Sequence, residues 1–205
     1  MLDPLPIPDD LDAVLTDIWT RWGRGAADRR SAFHTPVVGS VNERGTPDQR
    51  VMVLRKVDRS IATLRFHTDI RSMKARQIEA QSMVSILGYD PGAKVQIRAS
   101  GRASLIRTGP LADAAWAATS TSGRRSYLTT LPPGTVSNTA TSGLPRSFEQ
   151  TVPTVSESEA GRANFAIVAV TLDRLEWLHL ASTGHRRAAF TRGGESGWTG
   201  VWLIP

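Results

Sequence analysis

Cysteine is absent from the chain, which excludes disulfides, thiolate catalysis and every cysteine-based metal site. Histidine is scarce. His34, His67, His179 and His185 are dispersed, and no two share an i,i+4 or other ligand spacing, so no metal site is expected. No apolar run is long enough to span a bilayer, and no secretory apolar core lies near the N-terminus, so a cytoplasmic protein without membrane contact is expected. The two common glycine-rich phosphate loops are missing. So are a Gly-x-Ser-x-Gly elbow and a Ser–His–Asp arrangement, which removes the usual signs of a hydrolase. Asp173 and Glu176 are not spaced for paired-carboxylate chemistry and read as decoration of a turn and a strand.

What remains is ordinary in amount and basic in balance. Hydrophobic residues are 40% and charged residues 21% of 205, enough for one domain over residues 1–205 with a proper core. The net charge is +6 and the pI about 10.6, which favours anionic partners such as phosphorylated small molecules or nucleic acid. The arginines are scattered rather than run together, which argues against a polybasic tail.

Along the chain, an aspartate at 9 or 10 caps an amphipathic helix through Trp22, with Gly23 at its end. Phe33–Val41 reads as a strand, and Asn42–Gly45 turns the chain back. Ser82–Tyr89 reads as a buried strand. Lys94–Ile106 places Lys94, Gln96, Arg98 and Ser100 on one face and Val95, Ile97 and Ala99 on the other. Pro110 opens a helix. Residues 120–158 shift toward Ser, Thr, Pro and Gly, predicting either a long loop wrapped over the domain or a partly ordered excursion. Ala163–Thr171 and Leu175–Leu180 read as two strands joined by a turn at Leu172–Arg174. The tail is expected to turn at Gly193-Gly194 and end in a strand with Trp198 and Trp202. The sum is a mainly β, α+β protein: an antiparallel barrel with peripheral helices.

The richest stretch is Arg50–Ala80. Arg50–Val57 alternates as one strand, with Arg50, Met52, Leu54 and Lys56 on one face and Val51, Val53, Arg55 and Val57 on the other. Ile61–Thr68 returns as a second strand. Ser72 then stands as N-cap of a helix with Lys74 in its first turn. A helix start offers unpaired N–H groups and partial positive charge. With Arg50, Arg55 and Lys56 approaching from the strand, the stretch reads either as a phosphate cradle or as a solvated basic hairpin.

The order of these pieces resembles the FMN-binding core of the pyridoxamine 5′-phosphate oxidase family. The resemblance is carried by Arg50–Arg55, Phe66-His67-Thr68, Ser72-Met73-Lys74-Ala75, Val95–Ala103, Leu175-Glu176-Trp177 and His185-Arg186-Arg187. It implies an antiparallel split β-barrel, a homodimer and two FMN sites at the subunit interface. It also implies that Arg50 and Lys74 contact the FMN phosphate and that Val51, Met52, Val53 and Leu54 run along the flavin by backbone. His67, Thr68 and Ser72 would add hydrogen bonds, Gln96 would come from a facing strand, and Arg187 from the tail. Met73 stands where the family has an arginine, and Arg55 where the oxidase has a lysine touching substrate phosphate. The oxidase's Arg-x-His signature is replaced by Gly184-His185-Arg186, so FMN binding is better supported than vitamin B6 oxidation.

Two functions follow as expectations. One is a flavin-dependent oxidoreductase of a small molecule that enters near Arg55, Arg98 and the long loop, with FMN, or a related deazaflavin, supplying the chemistry and no protein acid or base required. The other is a binding barrel without turnover, holding flavin or nucleic acid. Aromatic residues, 6% of the chain, do not interleave with the basic strand faces, which makes nucleic acid the weaker partner.

Overall fold

A computed structural model describes residues 8–193 and 197–205. Helix α1 (Leu11–Ala27) is capped by the Asp10 carboxylate, which accepts from the Ala13 amide at 2.7 Å, and buries Val14, Ile18, Trp19 and Trp22. It runs past Gly23, the expected end. Gly25 is the glycine that packing requires, because a Cβ there would lie 2.5 Å from the Phe33 carbonyl oxygen.

Nine antiparallel strands follow: β1 (Val37–Val41), β2 (Pro47–Val51), β3 (Leu54–Asp58), β4 (Thr63–Asp69), β5 (Met83–Asp90), β6 (Val95–Ile106), β7 (Phe165–His179), β8 (Arg186–Gly193) and β9 (Gly197–Leu203). The main sheet runs β2-β1-β5-β6-β7-β4-β3, with β8 and β9 continuing from β7. Helices α2 (Met73–Ala80) and α3 (Pro110–Ala118) flank it, and short helices α4 (Thr121–Arg124) and α5 (Val155–Ser158) lie in the 120–158 segment. The core gathers α1, Leu54, Leu64, Phe66, Ile97 and Trp177.

Four expectations about strands change. The strand expected from Phe33 begins only at Val37, residues 33–35 lying in a turn. Arg50–Val57 is not one strand. Pairing stops at Met52-Val53, where β2, bound to β1, gives way to β3, bound to β4. The Met52 and Leu54 amides donate instead to the carbonyls of Pro36 and His34. The two strands expected over 163–180 are one continuous β7. Its edge opposite β6 passes from β4, at Phe165–Thr171, to β8, at Arg174–His179. A bulge between Ser100 and Gly101 absorbs the change, and Gly101 is obligatory there because a Cβ would lie 2.0 Å from the Thr171 carbonyl oxygen. Finally, β5 alternates between buried and exposed residues rather than being buried throughout. The expected turn at Gly193-Gly194 falls partly outside the described residues.

The 120–158 segment is tied down at several points. Arg71, paired with Asp69, donates to the Thr129 carbonyl and hydroxyl at 3.1 and 2.8 Å. Arg124 is buried, lies over the Trp116 ring and pairs with Glu159 at 2.7 Å.

Candidate functional site

The sheet sorts the basic residues into three groups. The first lies where β2 meets α2. Side chains alternate along β2, so Asp48 and Arg50 face inward while Gln49 faces the opposite cleft. Arg50 Nη1 donates to Ser40 Oγ at 2.6 Å, and Nη2 donates to Asp48 Oδ2 at 2.6 Å and Gln77 Oε1 at 2.9 Å. Gln77 Nε2 closes the ring on Asp48 at 2.8 Å. Lys74, one turn earlier on α2, has no hydrogen bond or ion pair among the described residues. Burial, and then the neighbouring Arg50 charge, push its pKa below the usual lysine range. Arg50 and Lys74 therefore converge, as the cradle reading requires.

Ser72 occupies the N-cap position but does not cap. Its Oγ donates to the Asp69 carbonyl at 2.7 Å and meets Thr68 Oγ1 at 3.2 Å. The amides of Met73 and Lys74 are left without a partner among the described residues. A half-buried unpaired ammonium, a neighbouring guanidinium and two free amides fit a phosphomonoester, because each gains a charge-assisted bond and the buried ammonium gains a counter-charge. Lys74 is the free cation of the pair. Most of the Arg50 guanidinium is already held by the protein, so it supplies charge and shape more than open donors.

The second group lines a cleft of about 620 Å³ between β3–β4 and α3. His67 and Arg65 point into it, whereas Thr68 lies on the buried side with Ser72. Expected neighbours on sequence, His67 and Thr68 thus serve different faces. The His67 Nδ1 is buried without a partner, its ring meets Phe165 edge-on at 4.7 Å, and burial with the Arg55 charge lowers its pKa to about 4. The register shifts between Leu54 and Lys56. That bulge turns Arg55 and Lys56 both into the cleft, where strict alternation would separate them.

The third group lies across the outer sheet face, in a cleft of about 420 Å³ with Gln96, Arg98 and Glu176. Glu176 is buried and accepts from Arg187 at 2.9 Å and Arg98 at 3.2 Å, with Arg174 at 3.8 Å. Sequence reading misses this carboxylate as an organising group. The signal was the polar face of β6, whose partner strand must present a counter-charge to Arg98.

Of the anticipated flavin residues, Arg50, Ser72, Lys74 and Thr68 come together around the start of α2. Among residues 51–54, Met52 and Leu54 are buried and use their amides internally, leaving the Val53 amide open among the described residues; Val51 is exposed. Gln96 and Arg187 lie on the other sheet face. The two anticipated substrate arginines, Arg55 and Arg98, occupy different clefts. Among the described residues no group of His, Asp and Glu is placed to hold a metal. No helix is long and apolar enough to cross a membrane.

Parts of the chain are similar to known proteins. The family described as pyridoxamine 5′-phosphate oxidase, FMN-binding domain, matches residues 19–107. Pyridoxine/pyridoxamine 5′-phosphate oxidase of Klebsiella pneumoniae is 37% identical over 100 residues, 48% of this chain and 45% of that protein. The same enzyme of Salmonella newport is 34% identical over the same shares. The match thus spans just under half the length of these curated relatives. Among solved structures, a pyridoxamine 5′-phosphate oxidase-related, FMN-binding protein of Nostoc punctiforme superposes with a TM-score of 0.69 at 23% identity, covering 97% of this chain and 98% of that one. PhzG of Burkholderia lata, solved with tetrahydrophenazine-1-carboxylic acid, gives 0.65 at 18% identity, covering 100% and 97%. The cofactor these family matches imply is FMN. Over residues 19–107 the chain thus matches the FMN-binding domain of the pyridoxamine 5′-phosphate oxidase family, and along nearly its whole length it shares the split-barrel fold of these neighbours.

Proposed function

We propose that the protein is an FMN-dependent oxidoreductase acting on a small molecule. The convergence of Arg50 and Lys74 on the uncapped start of α2 carries the reading, since these groups hold a phosphomonoester and leave the attached ring to lie against neighbouring strands. Bound flavin supplies hydride or electron transfer. Lys74 and the Met73 and Lys74 amides bind the phosphate, and Asp48 and Gln77 keep the Arg50 guanidinium beside it. The open Val53 amide is the donor left at the β2–β3 break. His67, neutral near pH 7, offers a hydrogen bond without adding charge.

We assign Gln96, Arg98 and Arg187 to the flavin site of a second copy. In one chain they face away from Arg50, on a surface that also exposes Leu87 and Tyr89. A homodimer with its sites at the interface reconciles the two sets. Neither cleft is lined by Trp, Tyr or Phe, which disfavours stacking of nucleic-acid bases.

The test is an absorbance spectrum of the purified protein followed by titration with FMN. Flavin bands and one FMN per chain are expected. A colourless protein that ignores both FMN and a deazaflavin rejects the proposal.

A further inference from the structure

One guanidinium joins the 120–158 segment to the start of α2. Asp69 is buried, and both its oxygens hold Arg71. Oδ1 accepts from the Arg71 amide at 2.8 Å and from Nε at 3.0 Å, and Oδ2 accepts from Nη2 at 2.7 Å. Fixed in this way, the guanidinium reaches Thr129, with Nη1 donating to its carbonyl and Nη2 to its hydroxyl. Four of the five guanidinium N–H groups are then taken, so Arg71 has little left to offer a ligand directly.

Beyond Thr129 the chain makes an excursion. The Thr130 amide and hydroxyl both donate to the Gly143 carbonyl and close its neck. Among the described residues, 131–141 make no hydrogen bond outside this excursion. Leu131 is exposed, and Val136 is 91% exposed. Chain so solvated gains little from its own contacts, and its placement depends on what holds the neck. The excursion nonetheless turns back toward α2. At Gly134, left-handed with φ +92°, a Cβ would lie 3.8 Å from Met73 Cγ. Met73 is the first residue of α2, and its amide is one of the two left open for the phosphate.

Burying a carboxylate to orient a guanidinium is costly. Beyond Asp69, the acceptors this guanidinium reaches among the described residues are both on Thr129. What the ion pair determines is therefore where the neck stands.

We propose that Arg71 is a positioning residue for the flavin: it clasps Thr129 so that residues 131–142 stand as a strap across the phosphate end and slow the cofactor's release. The inference rests on the flavin reading. Departure of the cofactor waits on movement of the strap, as loop opening limits release from other sites.

The test follows FMN release by flavin fluorescence after dilution of the loaded protein. Arg71→Gln is expected to release FMN about tenfold faster, the effect of losing charge-assisted bonds at the neck. Thr129→Val removes one acceptor, leaves the Asp69–Arg71 pair intact and also speeds release; Thr129→Ser keeps the acceptor and the native rate. A chain with residues 133–141 replaced by three glycines releases FMN as fast as Arg71→Gln, and adding Arg71→Gln to it changes nothing further. Elastase, cutting after Val136 and Ala140 with the fragments identified by mass, is slowed by FMN in the native chain but not in Arg71→Gln.

Equal acceleration by Arg71→Gln in the native and the shortened chain overturns the proposal, because the arginine then acts by its own charge. A protein that binds FMN while release and cutting ignore both Arg71→Gln and Thr129→Val defeats this inference alone. A protein that takes up no FMN defeats the flavin reading and the strap's role with it.

Discussion

Arg50 Nη2 donates to Gln77 Oε1 at 2.9 Å, and that bond ties β2 to the helix that carries Lys74. Gln77 is buried and also accepts from Ser40 Oγ at 2.6 Å while donating to Asp48. Gln77→Leu removes these partners at once and leaves polar groups of Ser40 and Arg50 unsatisfied. A loss of about 1–3 kcal/mol in unfolding free energy is expected, read by urea denaturation, together with weaker FMN binding because the guanidinium is no longer held.

Lys74→Ala separates binding from folding. The ammonium has no protein partner to lose among the described residues, so stability should hold within about 0.5 kcal/mol. FMN affinity should fall by about 1–3 kcal/mol, the worth of a charge-assisted bond. Flavin fluorescence quenching measures the affinity and thermal melting of the FMN-free protein the stability; unchanged affinity would remove Lys74 from the site.

The same lysine predicts a pH dependence. Its pKa is lowered in the folded protein, so the ammonium is lost at a lower pH than an ordinary lysine would show. Phosphate binding favours the charged form. FMN affinity is therefore constant at neutral pH and declines as pH rises toward that lowered value, a decline that Lys74→Arg abolishes. Titrations between pH 7 and 10 check it.

His67 acts in the opposite pH range. Its folded pKa of about 4 lies below the ordinary 6.5, so between these values the unfolded chain binds the extra proton. Stability is complete above about pH 6.5 and is lost as pH falls toward 4, by up to about 3 kcal/mol from this residue. His67→Gln should flatten that part of the stability curve, measured by denaturant midpoints from pH 7 to 4.

Glu176 supports Arg98 and Arg187 from a buried position. Glu176→Gln removes the counter-charge and leaves the arginines to repel one another. A loss of about 1–3 kcal/mol is expected, less than for a fully buried pair because Arg98 is largely exposed. Because the second-copy assignment puts these arginines at a partner's flavin, FMN affinity falls as well and the fraction of dimer in sedimentation falls with it.

Amphipathic spacing made α1 legible, and the Asn42–Gly45 turn made the β1–β2 hairpin legible, because both are written in contiguous residues. So was the polar face of β6. The β2–β3 break was hidden, since alternation continues unbroken through Met52-Val53 while the hydrogen-bonding neighbour changes from β1 to β4. No local residue type announces a change of partner. Leu172–Arg174 read as a turn from its polar residues, yet Asp173 and Arg174 are simply solvent-facing residues of one strand. The convergence of Arg50 with Lys74 was legible because one helix and one nearby strand carry it. Arg65 was missed as a cleft residue although it alternates with His67 opposite Leu64 and Phe66. The Glu176 cluster needed cross-strand register between residues 78 positions apart.

The unbroken course of β7 limits where this fold can be opened. Its residues serve β6 along nearly the whole length, β4 at one end and β8 at the other, so new chain ends placed between Ile167 and His179 would cut the β6 ladder and, over most of that length, the β4 or β8 ladder with it. The turn at residues 181–184 and the exposed run at 133–142 bear no such load, and a circularly permuted chain can begin there.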